Sequence, residues 1–561
     1  MHDVIVVGSG AGGGSAAWAF AMRGLQVLVL EAGPWFDPDK DYGLDKPDWE
    51  QRYFPVKPGS EGRYTFGPMQ KLDPQWRDLR TWFRGEVSSE MPSYRKVTSG
   101  YSHVRGVGGS TLHYTGEAHR MHPDAMRLAT RFGVGADWPV SYAELEPYYQ
   151  KVERLIGVAG AHVGPLGPNT QDPSGRWRSQ GYPLPPHRFC PASQQLGEGA
   201  RQLGMSWSVN PRAALSEAYD GRPPCNYCGG CARGCPRRDK GSVDQTFIPK
   251  ALATGRCEIQ ARAQVTRLIH NRLREVTGVE WVDAQGRRHQ ASARCVVLAC
   301  GAIETPRLLL ANRSPWAPKG IGNDHGQVGR HFLETVGWMS VGLHPDQLDS
   351  YAGLPADAIS WDFNRPDAIP GVVGGARFYS ATLDADYAGP VAYATRAVKG
   401  WGASHKRTMR ETVGKALAVS AIGESLPNKG SFIDLDPKAR DAQGMPLARI
   451  HSYVDEMTCR RLRFMAQRSR ELLKAAGVTE LLTEGGTYDA FGSSHVFGTC
   501  RMGGDPATSV LGGDGRVHGW DNLLVCDASA FPSSGGGESP SLTIQALSLR
   551  AVDRWVDRRK A

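Results

Sequence analysis

The sequence predicts an α/β fold, and three observations carry that reading. The apolar run Val4-Ile5-Val6-Val7 leads through a glycine-rich turn into a small-residue helix at 15–23, and then into Gln26-Val27-Leu28-Val29-Leu30. That order of strand, turn, helix and strand is a βαβ unit. Residues 257–300 alternate like a meander, turn at Gly286, and end in Cys295-Val296-Val297-Leu298-Ala299-Cys300, a run apolar enough for a strand buried on both faces. The chain has 561 residues, which exceeds one ordinary domain and suits two or three.

The remaining segments follow in order. Residues 34–95 are rich in Pro, Asp, Trp and Tyr, lack a clear period, and read as a long excursion over the surface. A second glycine cluster lies at 106–116. Ser141 with Glu144 three residues later marks a capped helix start. Four cysteines crowd into 225–235. Residues 330–455 mix short strands and loops, and 455–475 read as a basic amphipathic helix. The last seventy or so residues return to glycine-rich turns, a strand Leu523-Leu524-Val525-Cys526, and a final helix from about Ser541. No internal repeat or low-complexity tract interrupts this plan.

Charge and composition exclude several classes. Lys and Arg number 66 against 57 Asp and Glu, giving +9, but the basic residues are scattered, so nucleic acid is not an expected partner. The densest basic stretch, 550–560, reads as a solvated helix end. No apolar run approaches the ~18 residues of a membrane span. The chain goes straight into its first strand without a signal-like segment. A cytoplasmic location is therefore expected, with a periplasmic one only if the chain is exported beside a signal-bearing partner. Eleven cysteines are too few for a disulfide scaffold at this length.

The first glycine turn has a specific physical reading. In Gly8-x-Gly10-x-x-Gly13, Gly8 makes the tight turn, Gly10 lets a pyrophosphate approach the backbone, and Gly13 lets helix and strand pack closely. Glu31 closes the second strand, where an acidic side chain takes ribose hydroxyls. The helix N-terminus faces the phosphates. This loop serves NAD and FAD alike.

Four later segments choose between them. They are Arg105-Gly106-Val107-Gly108-Gly109-Ser110-Thr111-Leu112-His113, then Gly301-Ala302-Ile303-Glu304-Thr305-Pro306-Arg307-Leu308-Leu309, then His495-Val496-Phe497-Gly498-Thr499-Cys500-Arg501-Met502-Gly503, and finally Asp527-Ala528-Ser529-Ala530-Phe531-Pro532 with Ser539-Pro540-Ser541-Leu542-Thr543-Ile544. In this order they resemble the signatures of the glucose-methanol-choline (GMC) flavin oxidoreductases over nearly the whole chain; the second segment departs from its signature at Asn312-Arg313.

The resemblance implies a Rossmann-like FAD-binding domain interleaved with an α+β substrate domain that contains an antiparallel sheet. The division expected is 1–330 for the FAD side, including the 34–95 excursion and a cysteine insertion at about 185–250, 331–480 for the substrate domain, and 481–561 for the return carrying the catalytic motif. Gly108, Gly109 and Ser110 would let backbone run against the flavin ring, where side chains would clash. His113 occupies the position at which some members link FAD covalently. Asp527 and Ala528 match the contacts to the flavin's ribityl-phosphate chain, and the helix from Ser541 would direct its N-terminus to the flavin.

Oxidising an alcohol needs a base for the hydroxyl proton while hydride leaves the carbon, and histidine titrates in the useful range. His495 matches the family's catalytic histidine. The second catalytic position, Asn or His in the family, is Ser539 here, which is shorter, so Glu538 or a substrate-domain residue is expected to supply the missing contact.

The run Cys225-x2-Cys228-x2-Cys231-x3-Cys235-Pro236 is similar to the bacterial ferredoxin spacing, more compact than paired zinc knuckles. An iron-sulfur cluster, 4Fe-4S or 3Fe-4S, is expected in preference to zinc or free thiols. Gluconate, FAD-dependent glucose and glucoside 3-dehydrogenases of the same family carry cysteine-rich insertions at a comparable place. The resemblance therefore implies a sugar, glycoside or polyol substrate, an external electron acceptor such as a cytochrome, and an accessory subunit. An oxygen-using oxidase with structural cysteines and a non-catalytic flavin and iron-sulfur electron-transfer module are the competing readings.

Overall fold

The computed structural model describes residues 2–42, 64–83, 93–97, 103–161, 177–383, 393–394, 397–398 and 400–560. Its first sheet is centred on the strand His2–Val7, in which Val4, Ile5 and Val6 are fully buried. This strand pairs in parallel with Val27–Leu30 on one side and with the end of Arg288–Leu298 on the other. Cys257–Gln260 and Leu523–Val525 extend the parallel array outward from these two. Burial on both faces is why these strands are continuous runs of Val, Ile and Leu.

Arg288–Leu298 serves two arrays. Its first half pairs antiparallel with Val276–Val282, which in turn pairs with Gln264–His270. From Ala293 onward it joins the parallel array. The alternation of exposed and covered residues gives way to complete burial at Cys295. The expected meander is thus real, except that its first strand, 257–260, runs parallel beside 27–30.

Helix Ala11–Ala21 lies against helix Ser541–Lys560, with Phe20 and Trp555 edge to face at 5.4 Å. Gly12 keeps this helix close to its neighbours: a Cβ there would stand 1.6 Å from the Cys526 carbonyl oxygen beyond strand Leu523–Val525 and 3.2 Å from Ile544 Cγ2 on the last helix. The last helix is basic on its outer side but buries Ala546, Leu549 and Val552, so it covers core as well as meeting water. Helix Tyr142–Ile156 begins with the expected reciprocal cap between Ser141 and Glu144.

The second sheet is antiparallel throughout, in the order Trp82–Phe83, Glu480–Gly486, Val336–Leu343, Ala416–Gly423, Ala376–Ser380, Ala358–Ser360, Ser208–Val209. Helix Glu456–Ala475, capped by the Asp455 side chain, packs across it through Leu462, Met465, Leu472 and Leu473. Because strands 82–83 and 208–209 come from earlier segments, the two sheets interleave along the chain. Residues 34–95 are only partly described, and the described portion is no mere surface excursion. Leu72, Trp76 and Leu79 enter the second core, a consequence of the turn Pro74–Leu79 turning its apolar side inward. Among the described residues no helix is long and apolar enough to cross a membrane.

Candidate active site

A cavity of about 510 Å³ opens where the two sheets meet. One wall is backbone. Gly8 has φ +93°, and a Cβ there would sit 2.6 Å from the Ala299 carbonyl oxygen. Gly109, at φ +55°, would place a Cβ 2.6 Å from the Gly10 Cα, so the two glycine turns touch backbone to backbone. Gly8, Gly10, Gly109 and Ser110 line the cavity. Gly13 and Gly108 stand behind it. A Cβ on Gly13 would lie 1.9 Å from the Gly8 carbonyl, and the Gly108 N–H donates to Ser9 Oγ at 3.3 Å.

Two carboxylates mark this wall. Glu31 Oε2 accepts from the Ser9 amide at 3.0 Å and the Ser9 hydroxyl at 2.7 Å, while Oε1 accepts from the Gly33 amide at 2.9 Å, leaving Oε1 acceptor capacity at the cavity edge. Asp527 Oδ2 accepts from the Gly301 amide at 2.9 Å and from Thr305 Oγ1 at 2.6 Å, and Oδ1 accepts from the Ser529 amide at 2.8 Å. Burial nevertheless pushes its carboxyl up. Ala528 and His113 line the cavity, His113 immediately after the turn Gly109–Leu112. The N-terminal residues of helices Ala11–Ala21, Gly301–Ala311 and Ser541–Lys560 all face this space, an arrangement favourable to an anionic ligand.

The opposite wall is built from polar side chains. His495 is held at its backbone, where the carbonyl accepts from the Thr335 amide at 3.0 Å and Ser493 Oγ at 2.8 Å. The strand Val496–Phe497 then pairs with Leu333–Glu334. The next turn requires glycine, because Gly498 has φ +74° and a Cβ there would lie 1.9 Å from the His331 carbonyl oxygen. Burial lowers His495 to about 4, with the Glu117 carboxylate opposing and the Arg377 guanidinium assisting that fall. The imidazole is therefore neutral, and a proton acceptor, at ordinary pH.

Ser539 faces the same cavity and belongs to a closed hydrogen-bonded ring. Its amide donates to His119 Nδ1 at 3.0 Å, His119 Nε2 meets Asn210 Oδ1 at 2.7 Å, and Asn210 Nδ2 donates to Glu117 Oε1 at 2.8 Å. Ser539 Oγ closes the ring by donating to Glu117 Oε2 at 2.7 Å. Accepting at Nδ1, His119 carries its proton on Nε2, and burial lowers it to about 3. Arg377 clamps Glu117 with two bonds of 2.6 and 2.8 Å. Burial alone would raise Glu117, but this guanidinium outweighs it and holds the carboxyl well below the usual range. The run Gly535-Gly536-Gly537 allows the chain to pass here: Gly537 is at φ +102°, and a Cβ would strike the Ile422 carbonyl at 2.3 Å.

Glu538, expected to assist Ser539, does not line the cavity. Its Oε1 accepts from the His122 amide at 2.9 Å and Asn364 Nδ2 at 3.0 Å, and burial raises its carboxyl. The side chains that meet Ser539 Oγ are Glu117, which lines the cavity, and Arg377 from the second sheet. The only signal of Glu117 in the sequence was an acidic residue four positions beyond His113. Arg377 and Asn210 had none, since they reach the site from distant segments.

Cys225 packs against the small core that contains buried Cys231, but the four cysteines do not form the metal-holding group that the spacing implied. Cys231 is buried, Cys225 and Cys235 are partly covered and Cys228 is exposed. No group of three or more Cys, His, Asp or Glu able to hold a metal ion occurs among the described residues. The Cys235 thiol instead hydrogen-bonds the Asp239 carboxylate. Burial and that carboxylate push Cys235 up to about 12 and raise Cys225 as well, keeping both protonated. As arranged, the sulfurs do not fit a cluster. The segment is still tied to the cavity wall, because buried Lys240 Nζ donates to the carbonyls of Cys231 at 2.8 Å, Leu112 at 2.9 Å and Tyr114 at 3.0 Å, on either side of His113.

A glycine-turn wall of this kind, facing a histidine across one cavity, fits a dinucleotide-dependent oxidoreductase. GMC oxidoreductase profiles match residues 104–334 and 427–548, and an FAD-binding profile matches 3–37. The 2-methyl-1,2-propanediol dehydrogenase of Mycolicibacterium austroafricanum is 30% identical, over 99% of this chain and 95% of that one. The fructose dehydrogenase large subunit of Gluconobacter japonicus is 27% identical, over 98% and 97%. Pyridoxine 4-oxidase from Mesorbium loti shares the fold, with a TM-score of 0.61 at 17% identity, covering 99% of each chain. The chain belongs to the GMC oxidoreductase family and is an FAD-dependent oxidoreductase of CH–OH groups.

Proposed function

We propose that this chain oxidises one alcohol carbon of a sugar, glycoside or polyol to a carbonyl, with His495 as base. The observation that carries the proposal is that His495 lines the same cavity as the glycine turns, where burial favours its neutral form. Bound FAD supplies the hydride acceptor at N5. His495 takes the hydroxyl proton, and the ionised Glu117 stabilises the imidazolium that results. Gly8, Gly10 and Glu31 hold the dinucleotide's adenosine and pyrophosphate portion, with Gly13 setting the packing behind them. Gly109, Ser110, Asp527 and Ala528 hold its flavin portion, with Gly108 shaping the turn. Residues 331–480 supply most of the second sheet, joined by strands 82–83 and 208–209, and bring Arg377 to the substrate side of the cavity beside Glu117, His495 and Ser539 from the remaining segments. His495→Ala with bound FAD and undiminished turnover overturns the assignment.

His113 lies at the cavity and is proposed as a covalent anchor for the flavin. Flavin absorbance that stays with acid-precipitated protein supports the bond, and its release into the supernatant excludes it.

The cysteine spacing favours a second element, an iron-sulfur outlet to an external acceptor such as a cytochrome, with an accessory subunit. The sulfurs would have to move to form it, so no electron step is assigned to it here. Iron and acid-labile sulfide in the purified protein support it. Their absence, with peroxide formed in step with substrate oxidation, supports the oxygen-using reading.

A further inference from the structure

The Ser539 hydroxyl has its polarity fixed before any substrate arrives. It carries one proton, and that proton points to Glu117 Oε2 at 2.7 Å. Turning it toward the cavity would exchange a hydrogen bond to a carboxylate for one to a neutral oxygen, and bonds to a charged group are about twice as strong. The Arg377 Nη2 donor lies 3.4 Å from the same Oγ, which also favours the hydroxyl acting as acceptor. The ring through His119 and Asn210 anchors both the Ser539 amide and Glu117, so neither end of the pair turns freely. What Ser539 offers to the cavity is a lone pair.

The reacting hydroxyl cannot use that lone pair. Its single proton goes to His495, the neutral acceptor on the same wall. The Ser539 acceptor is therefore left for a second donor on the substrate.

We infer that Ser539, oriented by Glu117 and Arg377, accepts a hydrogen bond from a second hydroxyl on the carbon next to the one oxidised, so that the site selects vicinal diols over simple alcohols. Ser539 is then a specificity-determining residue and Glu117 a positioning residue. The inference rests on the proposed alcohol oxidation with His495 as base.

The test uses the FAD-loaded enzyme without oxygen and follows flavin bleaching by two matched pairs, 1-propanol with 1,2-propanediol and cyclohexanol with cis-1,2-cyclohexanediol. Wild type bleaches faster with each diol, by roughly five- to tenfold, the contribution of one ordinary hydrogen bond. Ser539→Ala brings the diol-to-alcohol ratio near one, whatever its effect on the absolute rates, and Ser539→Thr keeps the preference. Glu117→Gln frees the serine proton and also lowers the ratio. Should Glu117→Gln not fold, Ser539→Ala decides alone, since it removes one oxygen and leaves the Glu117–Arg377 pair intact. A diol preference unchanged in Ser539→Ala, or equal rates in wild type, overturns the inference and leaves the alcohol-oxidation reading standing. Bleaching in wild type by neither class, nor by any sugar, glycoside or larger polyol, overturns both.

Discussion

The two walls of the cavity are made in different ways. The wall that faces the cofactor is backbone: two glycine turns in contact, with three helix N-termini behind them. The wall that faces the substrate is side chain, assembled from residues 117, 119, 210, 377, 495 and 539. The first gains its shape from what is absent, since a methyl group at Gly8 or Gly13 would strike a carbonyl. The second gains its chemistry from compensation. Buried Glu117 stays ionised under two direct bonds from Arg377, whereas buried Glu424 is raised to about 8 because burial outweighs the nearby Arg461 guanidinium, which bonds its backbone carbonyl and not its carboxylate. Of these two buried carboxylates, only the one that a guanidinium bonds directly keeps its charge.

The largest expected effect breaks the backbone wall. Gly13→Val forces a side chain into the Gly8 carbonyl, and the protein should purify without flavin, as its visible spectrum will report. His495→Ala breaks the polar wall at one point. FAD should remain, while kcat falls by about 10²–10⁴-fold, the usual contribution of a positioned base.

The pH profile sharpens the same point. As the proposed base, His495 must be unprotonated, and with burial lowering it to about 4, kcat/KM should be flat through neutrality and decline only as pH drops through that value. Glu117 raises His495, so Glu117→Gln should shift this limb to still lower pH.

Arg377→Met tests compensation directly. It leaves Glu117 buried and unpaired, and should cost about 3–5 kcal/mol, measured by denaturant unfolding of the FAD-loaded protein. A pH-dependent effect is expected at Glu424. Its folded value near 8 lies above the ordinary 4.5, so the folded state holds a proton that the unfolded state releases between those limits. Stability from this group is complete below 4.5 and is lost as pH rises through 8. Glu424→Gln should flatten that slope with little change near pH 4.

The cofactor wall was legible in the sequence because it depends on glycine at fixed spacing. Gly8, Gly10, Gly109 and His113 reach the cavity from two short motifs, each next to a strand or turn that the apolar pattern already marks. The substrate wall was only half legible. His495 sits in a motif with Gly498, but Glu117 meets Arg377 across 260 positions, and no local pattern encodes such a pair. Ser539 was recognisable as a departure from Asn or His, while its polarity came from partners that only the fold brings near. The cysteine run shows the converse limit. Its spacing is sharp, yet spacing does not fix where sulfurs point, and here Asp239 engages the Cys235 thiol.

The most direct test of the account is anaerobic mixing of the FAD-loaded protein with 1,2-propanediol and cis-1,2-cyclohexanediol, with and without His495→Ala. The account predicts that wild type bleaches and that the variant, with its flavin still bound, bleaches at least about a hundredfold more slowly. Bleaching of the variant at the wild-type rate would contradict it.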